Sequence, residues 1–157
     1  MKKKILIVED NNDLREILNL FITKMGEAIM AKNSNEAIAF AEAEQPHLIF
    51  MDMELPDVDG VKTTAILRKN PKTSHIPVVA LTAWMWELWR EKASKVGIAT
   101  YLLKPASPQT LKQTIEKYTN ESLTRGQGYD ASDLNRAKTV RSTLTWSGLR
   151  GRFLSFT

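Results

Sequence analysis

The side chains best suited to chemistry stand at the ends of short apolar runs. Asp52 follows the uncharged run Leu-Ile-Phe-Met at 48–51, which is typical of a strand buried on both faces of a parallel sheet. A carboxylate at the end of such a strand is costly to bury unless it has a partner, a metal ion or a task. Open α/β sheets bind their ligands at the carboxyl ends of the strands. Asp52 is therefore the leading candidate for the reactive group.

Other apolar runs end in the polar residues Glu9, Asp10, Thr82 and Lys104. Three carboxylates in one pocket would repel each other without a cation, and oxygen ligands favour a hard ion such as Mg²⁺. With the ion bound, one carboxylate can act as a nucleophile toward phosphorus. The Thr82 hydroxyl and the Lys104 ammonium can position and neutralise phosphoryl oxygens, which is what phosphoryl transfer requires. The pattern predicts a phosphoryl-transfer site.

The elements that must position these side chains alternate between strand and helix. Apolar strands are predicted at about residues 4–8, 28–31, 48–52, 76–81 and 99–103. A helix follows each strand, the third over about residues 60–70 and the fourth over about 84–96. The predicted N-caps include Asn11 or Asn12, Ser34 and Ser107. This alternation predicts an α/β protein with a doubly wound parallel sheet and right-handed crossovers.

Length and composition limit the possible classes of protein. A chain of 157 residues with 43% hydrophobic and 25% charged residues suits one globular domain and a short appendage. The absence of cysteine excludes disulfides, thiolate metal sites and thiol catalysis. The apolar run at 5–8 is too short for a signal peptide, and no stretch is long enough to span a membrane. We therefore expect a cytoplasmic protein with no membrane partner.

The net charge of +4 is carried by the end of the chain. Residues 122–157 hold six of the 22 Lys and Arg residues but only two of the 18 Asp and Glu residues. We therefore predict one domain at 1–120 and a basic tail at 121–157. The tail lacks sustained apolar periodicity, so we expect a disordered segment or a remnant of an expression vector, with a helix that folds on a partner as the alternative. Its charge would tolerate nucleic acid, but we do not expect nucleic acid as a partner.

In order and spacing, the strand ends resemble the receiver domain of two-component response regulators over residues 3–119. The matching stretches are Ile-Leu-Ile-Val-Glu-Asp-Asn at 5–11, Met-Asp-Met-Glu-Leu-Pro-Asp-Val-Asp-Gly at 51–60, Pro-Val-Val-Ala-Leu-Thr-Ala at 77–83 and Tyr-Leu-Leu-Lys-Pro at 101–105. The resemblance implies a five-stranded, flavodoxin-like parallel sheet with strand order 2-1-3-4-5 and helices on both faces. It also implies a stand-alone signalling domain that is not an enzyme, with at most slow self-dephosphorylation.

The resemblance assigns a role to each residue at the strand ends. Asp52 would accept a phosphoryl group from the phosphohistidine of a sensor kinase, and Thr82 and Lys104 would hold that group. Mg²⁺ would be ligated by Asp10, Asp52 and the main-chain carbonyl of Glu54, with Glu9 acting directly or through water.

The resemblance also implies partners and a switch. A sensor histidine kinase or a phosphotransfer protein would supply the phosphoryl group. The output would be a downstream protein target or a self-dimer, bound through the fourth helix, fifth strand and fifth helix. Tyr101 would be the aromatic switch that turns inward when Thr82 moves. The Lys104–Pro105 bond would be cis, whereas the sequence alone favours trans.

The stretch Trp-Met-Trp-Glu-Leu-Trp-Arg at 84–90 departs from the family, which commonly has small and polar residues here. At helical spacing, Met85, Trp86 and Trp89 share one apolar arc that can face the sheet. Trp84 and Leu88 project on the other side, and exposed Trp and Leu are typical interface anchors. We hypothesise that Trp84 and Leu88 form a partner surface, with local repacking as the alternative. A stiff aromatic loop after Thr82 also puts the switch in doubt.

Two other functions are compatible with the sequence. One is a degenerate receiver that takes no phosphate and acts only as a docking module. The other is a Mg²⁺-dependent phosphatase with an aspartyl nucleophile, although such enzymes usually carry a second Asp two residues after the nucleophile, where this chain has Glu54. Among the remaining polar residues, we predict a structural role for His47 and His75 and a turn role for Asp57 and Asp59.

Overall fold

The computed structural model describes residues 2–83 and 87–120, and for residues 87–89 it describes the backbone alone. The strands are β1 (Lys4–Val8), β2 (Glu27–Ala31), β3 (Leu48–Asp52), β4 (Val78–Thr82) and β5 (Thr100–Leu103). The helices are α1 (Asn12–Ile22), α2 (Ser34–Glu44), α3 (Gly60–Lys69), α4 (Glu87–Lys95) and α5 (Pro108–Thr119). Trp84, predicted at the start of the fourth helix, and the predicted tail at 121–157 lie outside the described residues. Within those residues, no helix is long and apolar enough to cross a membrane.

The strands form one parallel sheet in the order β2-β1-β3-β4-β5. This order confirms the predicted doubly wound α/β architecture. In the register of the sheet, Asp52 pairs with Leu81, and Thr82 pairs with Leu103. Because parallel strands end at the same edge of a sheet, the polar residues that follow β1, β3, β4 and β5 are delivered to one edge.

Apolar side chains cover both faces of the sheet. Alternate residues of each strand point to opposite sides, so Ile49 and Met51 join one core, whereas Leu48 and Phe50 join the other. All five residues of the middle strand, β3, are buried. Burial on both faces explains why β3 reads as a continuous apolar run rather than an alternating one.

Two element boundaries differ between the prediction and the structure, and in both cases a residue at the boundary makes a long-range contact. The N-cap of α2 is Asn33, whose side chain accepts from the Glu36 N–H, so the prediction of Ser34 was wrong. Ser34 is instead buried, and its Oγ accepts a hydrogen bond from the Thr63 hydroxyl over 2.8 Å. The fourth strand begins at Val78 rather than residue 76, because the Ile76 carbonyl accepts from Arg68 outside the sheet.

The first strand and the last helix are tied together at the edge of the sheet opposite the acidic side chains. Lys3 precedes β1, and its Nζ lies 2.8 Å from the Thr119 carbonyl, 2.7 Å from Thr119 Oγ1 and 3.1 Å from Asn120 Oδ1. The final carbonyls of a helix have no partner within the helix. Lys3 therefore supplies a capping donor to α5 from the other end of the sequence.

Candidate functional site

Three carboxylates converge at the carboxyl edge of the sheet. Glu9 and Asp10 follow β1, Asp52 ends β3, and one oxygen from each lies within 4.8 Å of the others. Glu9 and Asp52 are each only 1% exposed, whereas Asp10 is exposed. The backbone N–H of Glu54 donates to Asp52 Oδ1 over 2.9 Å and orients that carboxylate. A buried pair of carboxylates with a third open to solvent has the donor chemistry of a site for a hard divalent cation.

Lys104 reaches this cluster from the end of β5. Its Nζ lies 2.7 Å from Glu9 Oε2 and 3.0 Å from Asp52 Oδ1. Burial lowers the pKa of the Lys104 ammonium, but its contacts with Glu9 and Asp52 outweigh that effect and raise the pKa above its ordinary value. Lys104 therefore stays charged at neutral pH and balances part of the negative charge of the two buried carboxylates.

Glu9 is the carboxylate least well satisfied by the protein. Burial raises the pKa of the Glu9 carboxyl and the charge of Asp52 adds to this, so the pKa stays raised although Lys104 and the Asn11 N–H oppose it. Glu9 Oε2 is buried and is not assigned a hydrogen bond in the described part of the chain, and its contact with the Lys104 ammonium at 2.7 Å is an ion pair. A buried carboxylate oxygen without a hydrogen bond can bind a metal cation. The oxygen donors of Glu9, Asp10 and Asp52 fit such an ion.

Thr82 and Lys104 are brought together by the pairing of β4 and β5. Thr82 is 3% exposed, and its carbonyl accepts from the Lys104 N–H over 2.9 Å. On the other side of β4, the Leu81 carbonyl accepts from the Met53 N–H over 3.0 Å. The strand that ends in Thr82 therefore runs between the loop after Asp52 and Lys104. The Lys104–Pro105 bond is cis, as the family resemblance implied.

Tyr101 is buried, with 7% of its surface exposed. Its role as a switch that turns inward when Thr82 moves stays a prediction. The predicted partner surface is a different matter. Trp84 lies outside the described residues, and so does the side chain of Leu88. Their role as interface anchors stays a prediction.

Arg15 is a site residue that the sequence analysis missed. Its Nη1 donates to the Glu9 carbonyl over 2.8 Å and to the Asp10 carbonyl over 3.3 Å, and its Nη2 contacts Asn12 Oδ1. The guanidinium thus holds the backbone of the acidic pair from the first turns of α1. An arginine about one helical turn after an acidic pair was the available signal, but it looks the same as an ordinary surface arginine.

Comparison with known proteins agrees with this geometry. The sequence profile of the response regulator receiver domain family matches residues 5–116. The chain belongs to that family, the receiver domains of two-component signalling. The polar-differentiation response regulator DivK of Brucella anthropi is 34% identical over 123 residues, which cover 78% of this chain and 100% of the relative.

Two solved structures share the fold at useful sequence identity. The receiver domain of the sensor histidine kinase PA1611 of Pseudomonas aeruginosa is 27% identical, with a TM-score of 0.70 over 76% of this chain and 98% of that one. That structure has a magnesium ion coordinated in its active-site cleft. The receiver domain of Ssk1 of Saccharomyces cerevisiae is 32% identical, with a TM-score of 0.69 over 75% of this chain and 89% of that one, and was crystallised with the histidine phosphotransfer protein Ypd1.

Proposed function

We propose that this receiver domain is a phosphoacceptor and that Asp52 carries the phosphoryl group. The observation that best supports the proposal is the position of Lys104, which pairs with Glu9 and Asp52 inside a cluster of three carboxylates. The contacts of Asp52 with the Glu54 N–H and with Lys104 both use Oδ1. Oδ2 is therefore the oxygen placed to attack phosphorus.

The transfer forms one bond and breaks one. The Asp52 carboxylate forms an O–P bond, the N–P bond of a phosphohistidine breaks, and its electron pair returns to the imidazole of the donor. The product is an acyl phosphate on the domain itself. Asp52 is regenerated when water hydrolyses the acyl phosphate or when the phosphoryl group passes to another protein. The domain is therefore a signalling intermediate, with at most slow self-dephosphorylation, rather than an enzyme.

The groups around Asp52 would together neutralise the negative charge of the phosphoryl oxygens. Asp10, Asp52 and the main-chain carbonyl of Glu54 would hold Mg²⁺, with Glu9 acting directly or through water. When bound, the ion supplies positive charge to the phosphoryl oxygens. The Lys104 ammonium can pass from the carboxylates to a phosphoryl oxygen, and the Thr82 hydroxyl can donate to another.

The partners follow from this chemistry. A sensor histidine kinase or a phosphotransfer protein would be the donor, in line with the Ssk1–Ypd1 pair. The magnesium ion of the PA1611 receiver supports Mg²⁺ as the ion. The output would be a protein target or a self-dimer on the surface of α4, β5 and α5, with Tyr101 as its switch. We assign the receiver to residues 1–120 and a separate basic segment to 121–157. We infer that the exchange takes place in the cytoplasm, where the kinase has ATP.

Intact-protein mass spectrometry after incubation with acetyl phosphate and Mg²⁺ tests the proposal. The wild-type chain should gain one phosphoryl group and Asp52→Asn none. The matched control is Asp59→Asn, which changes an aspartate of the same loop but keeps an N-cap for α3. A docking-only module would gain no mass, and a phosphatase would hydrolyse a phosphomonoester over many turnovers. Either result, or equal labelling of Asp52→Asn, would refute the proposal.

A further inference from the structure

The loop of residues 53–59, between β3 and α3, begins at the phosphoacceptor and closes on itself. Gly60 donates its N–H to the Met53 carbonyl over 3.1 Å, which brings the two ends of the loop together. Near its start, Glu54 donates its N–H to Asp52 Oδ1. The ends of the loop are therefore held by its own backbone. These two hydrogen bonds do not hold the middle of the loop, which can be held only by contacts with another element.

Asp57 provides that anchor. Its Oδ1 accepts from the Ser34 N–H over 3.0 Å, and its Oδ2 accepts from the Asn35 N–H over 3.2 Å. Both donors belong to the first turn of α2, where backbone N–H groups have no partner within the helix and the dipole favours a carboxylate. The side chain of Asp57 is exposed, so these contacts rather than burial hold it in place.

The charge of Asp57 agrees with this role. Partial burial raises the pKa of the Asp57 carboxyl, but hydrogen bonds from backbone N–H groups, those of Ser34 and Asn35 among them, outweigh that effect and leave the pKa below its ordinary value. Asp57 is therefore a carboxylate at neutral pH, with both oxygens engaged by α2. The sequence analysis treated it as a turn residue, because nothing in the local sequence shows a contact that spans 22 residues or more.

A second contact fixes α2 against the same region. The Thr63 hydroxyl of α3 donates to Ser34 Oγ over 2.8 Å, and both side chains are fully or almost fully buried. The same hydroxyl lies 2.9 Å from the Asp59 carbonyl at the end of the loop. The N-terminus of α2 is thus a fixed support to which Asp57 attaches the middle of the loop.

We propose that Asp57 is a positioning residue for the cation site. By attaching the loop to α2, it holds the segment in which the Glu54 N–H orients Asp52 and in which the Glu54 carbonyl is a predicted ligand. Helix α2 itself contributes none of the predicted ligands. The inference rests on the proposed function, because it concerns the ion that a phosphoacceptor requires. Removing a residue that orients a metal ligand without binding the metal commonly lowers metal affinity by about 10- to 100-fold.

Asn33 offers a matched control for the simpler reading, in which Asp57 only stabilises α2. Asn33 caps the same helix, since its Oδ1 accepts from the Glu36 N–H over 2.9 Å. Both side chains cap α2, but only Asp57 belongs to the loop. Asn33→Ala therefore removes a cap of the same helix and leaves the link between loop and helix in place.

Isothermal titration calorimetry with Mg²⁺ on the full chain separates the two readings. We expect Asp57→Ala to raise the dissociation constant for Mg²⁺ about tenfold and Asn33→Ala to leave it near the wild-type value. Asp57→Asn should fall between them, because its amide keeps one acceptor oxygen, and it replaces Asp57→Ala should that variant fail to fold. Urea unfolding of the same samples compares the stability that each variant loses.

Equal Mg²⁺ affinity of wild type and Asp57→Ala would overturn the inference. Equal weakening by Asp57→Ala and Asn33→Ala would overturn it too, since helix stability would then be the cause. If the wild-type chain binds no Mg²⁺ and gains no phosphoryl group, the proposed function fails and the inference fails with it. If the wild type is phosphorylated on Asp52 and only the Asp57 effect is missing, the inference alone is wrong.

Discussion

Arg90 of α4 donates a hydrogen bond from Nη2 to the hydroxyl of Tyr101 of β5 over 3.1 Å. The centre of the guanidinium also lies 5.8 Å from the centroid of the tyrosine ring, within cation–π range. The expected switch residue is thus bound directly to the helix that it would control. Turning the Tyr101 ring outward would break both contacts, so we expect the position of the ring and the attachment of α4 to be coupled.

We predict that Tyr101→Phe and Arg90→Met each lower the free energy of unfolding by about 1 kcal/mol, because each removes one partner of a partly buried hydrogen bond. The double variant should lose less than the sum of the two losses, with a coupling energy of about 0.5 kcal/mol or more. Urea denaturation of the four proteins measures this cycle.

Tyr118→Phe is the control for loss of a tyrosine hydroxyl. The hydrogen bond from the Tyr118 hydroxyl to the Ala99 carbonyl is long, at 3.4 Å, so its removal should cost less than the change at Tyr101. Additive effects of Arg90→Met and Tyr101→Phe would show that the two side chains are not coupled.

Mg²⁺ should stabilise the wild-type chain against heat in a manner that depends on Asp10. At a Mg²⁺ concentration 100 times the dissociation constant, the gain in unfolding free energy is about 2.7 kcal/mol. Asp10→Asn should lose most of this gain, because it removes a predicted ligand of the ion. Asp13→Asn, which alters an exposed acid in the first turn of α1, should keep it. Thermal unfolding over a Mg²⁺ series measures the difference, and equal gains in both variants would exclude Asp10 as a ligand.

The contribution of Asp57 to stability should depend on pH. Because its folded pKa lies below the ordinary value of 3.8, Asp57 stabilises the folded state above that pH, and the contribution is lost as the pH falls through the lower folded pKa. We therefore expect the stability advantage of wild type over Asp57→Ala to be largest near pH 6 and to shrink below about pH 4. Urea unfolding from pH 3 to 6 measures this advantage, and a constant difference would contradict the prediction.

Gly60→Ala should destabilise the domain and distort the site together. A Cβ at Gly60 would lie 2.5 Å from the Asp52 carbonyl oxygen and 2.9 Å from the Met53 Cα, both of which are backbone atoms that cannot move aside cheaply. We expect a loss of about 1–3 kcal/mol in urea unfolding, with slower labelling by acetyl phosphate. Lys62→Ala, an exposed change in the same first turn of α3, should stay within about 0.5 kcal/mol of wild type.

The sequence predicted the fold well because each strand and helix carries its own local pattern. The run at 48–51 and the spacing in the helices determine which elements exist, and the chain order of strands and helices fixes the parallel sheet. The misplaced boundaries have long-range causes. Ser34 resembles an N-cap in the local sequence, but its side chain binds the Thr63 hydroxyl of α3. Ile76 was predicted in the fourth strand, but its carbonyl accepts a hydrogen bond from Arg68.

The part of the candidate site that lies at the strand ends was predictable from local sequence patterns. Residues that follow apolar runs, such as Asp52 and Lys104, are marked by their position, and the sheet brings them together. Arg15, Asp57 and Arg90 make their contacts from helices and loops, and these contacts depend on geometry between elements. No spacing rule distinguishes such residues from the other charged residues of a protein surface.

Because Lys3 caps α5, both ends of the described domain lie at the edge of the sheet opposite the carboxylates. A fluorescent protein or an immobilisation tag joined after residue 120 would start from that side of the domain, away from the three carboxylates. Since residues 3 and 119 are already in contact, a short peptide bridge between them would permit circular permutation, with new termini opened in an exposed loop.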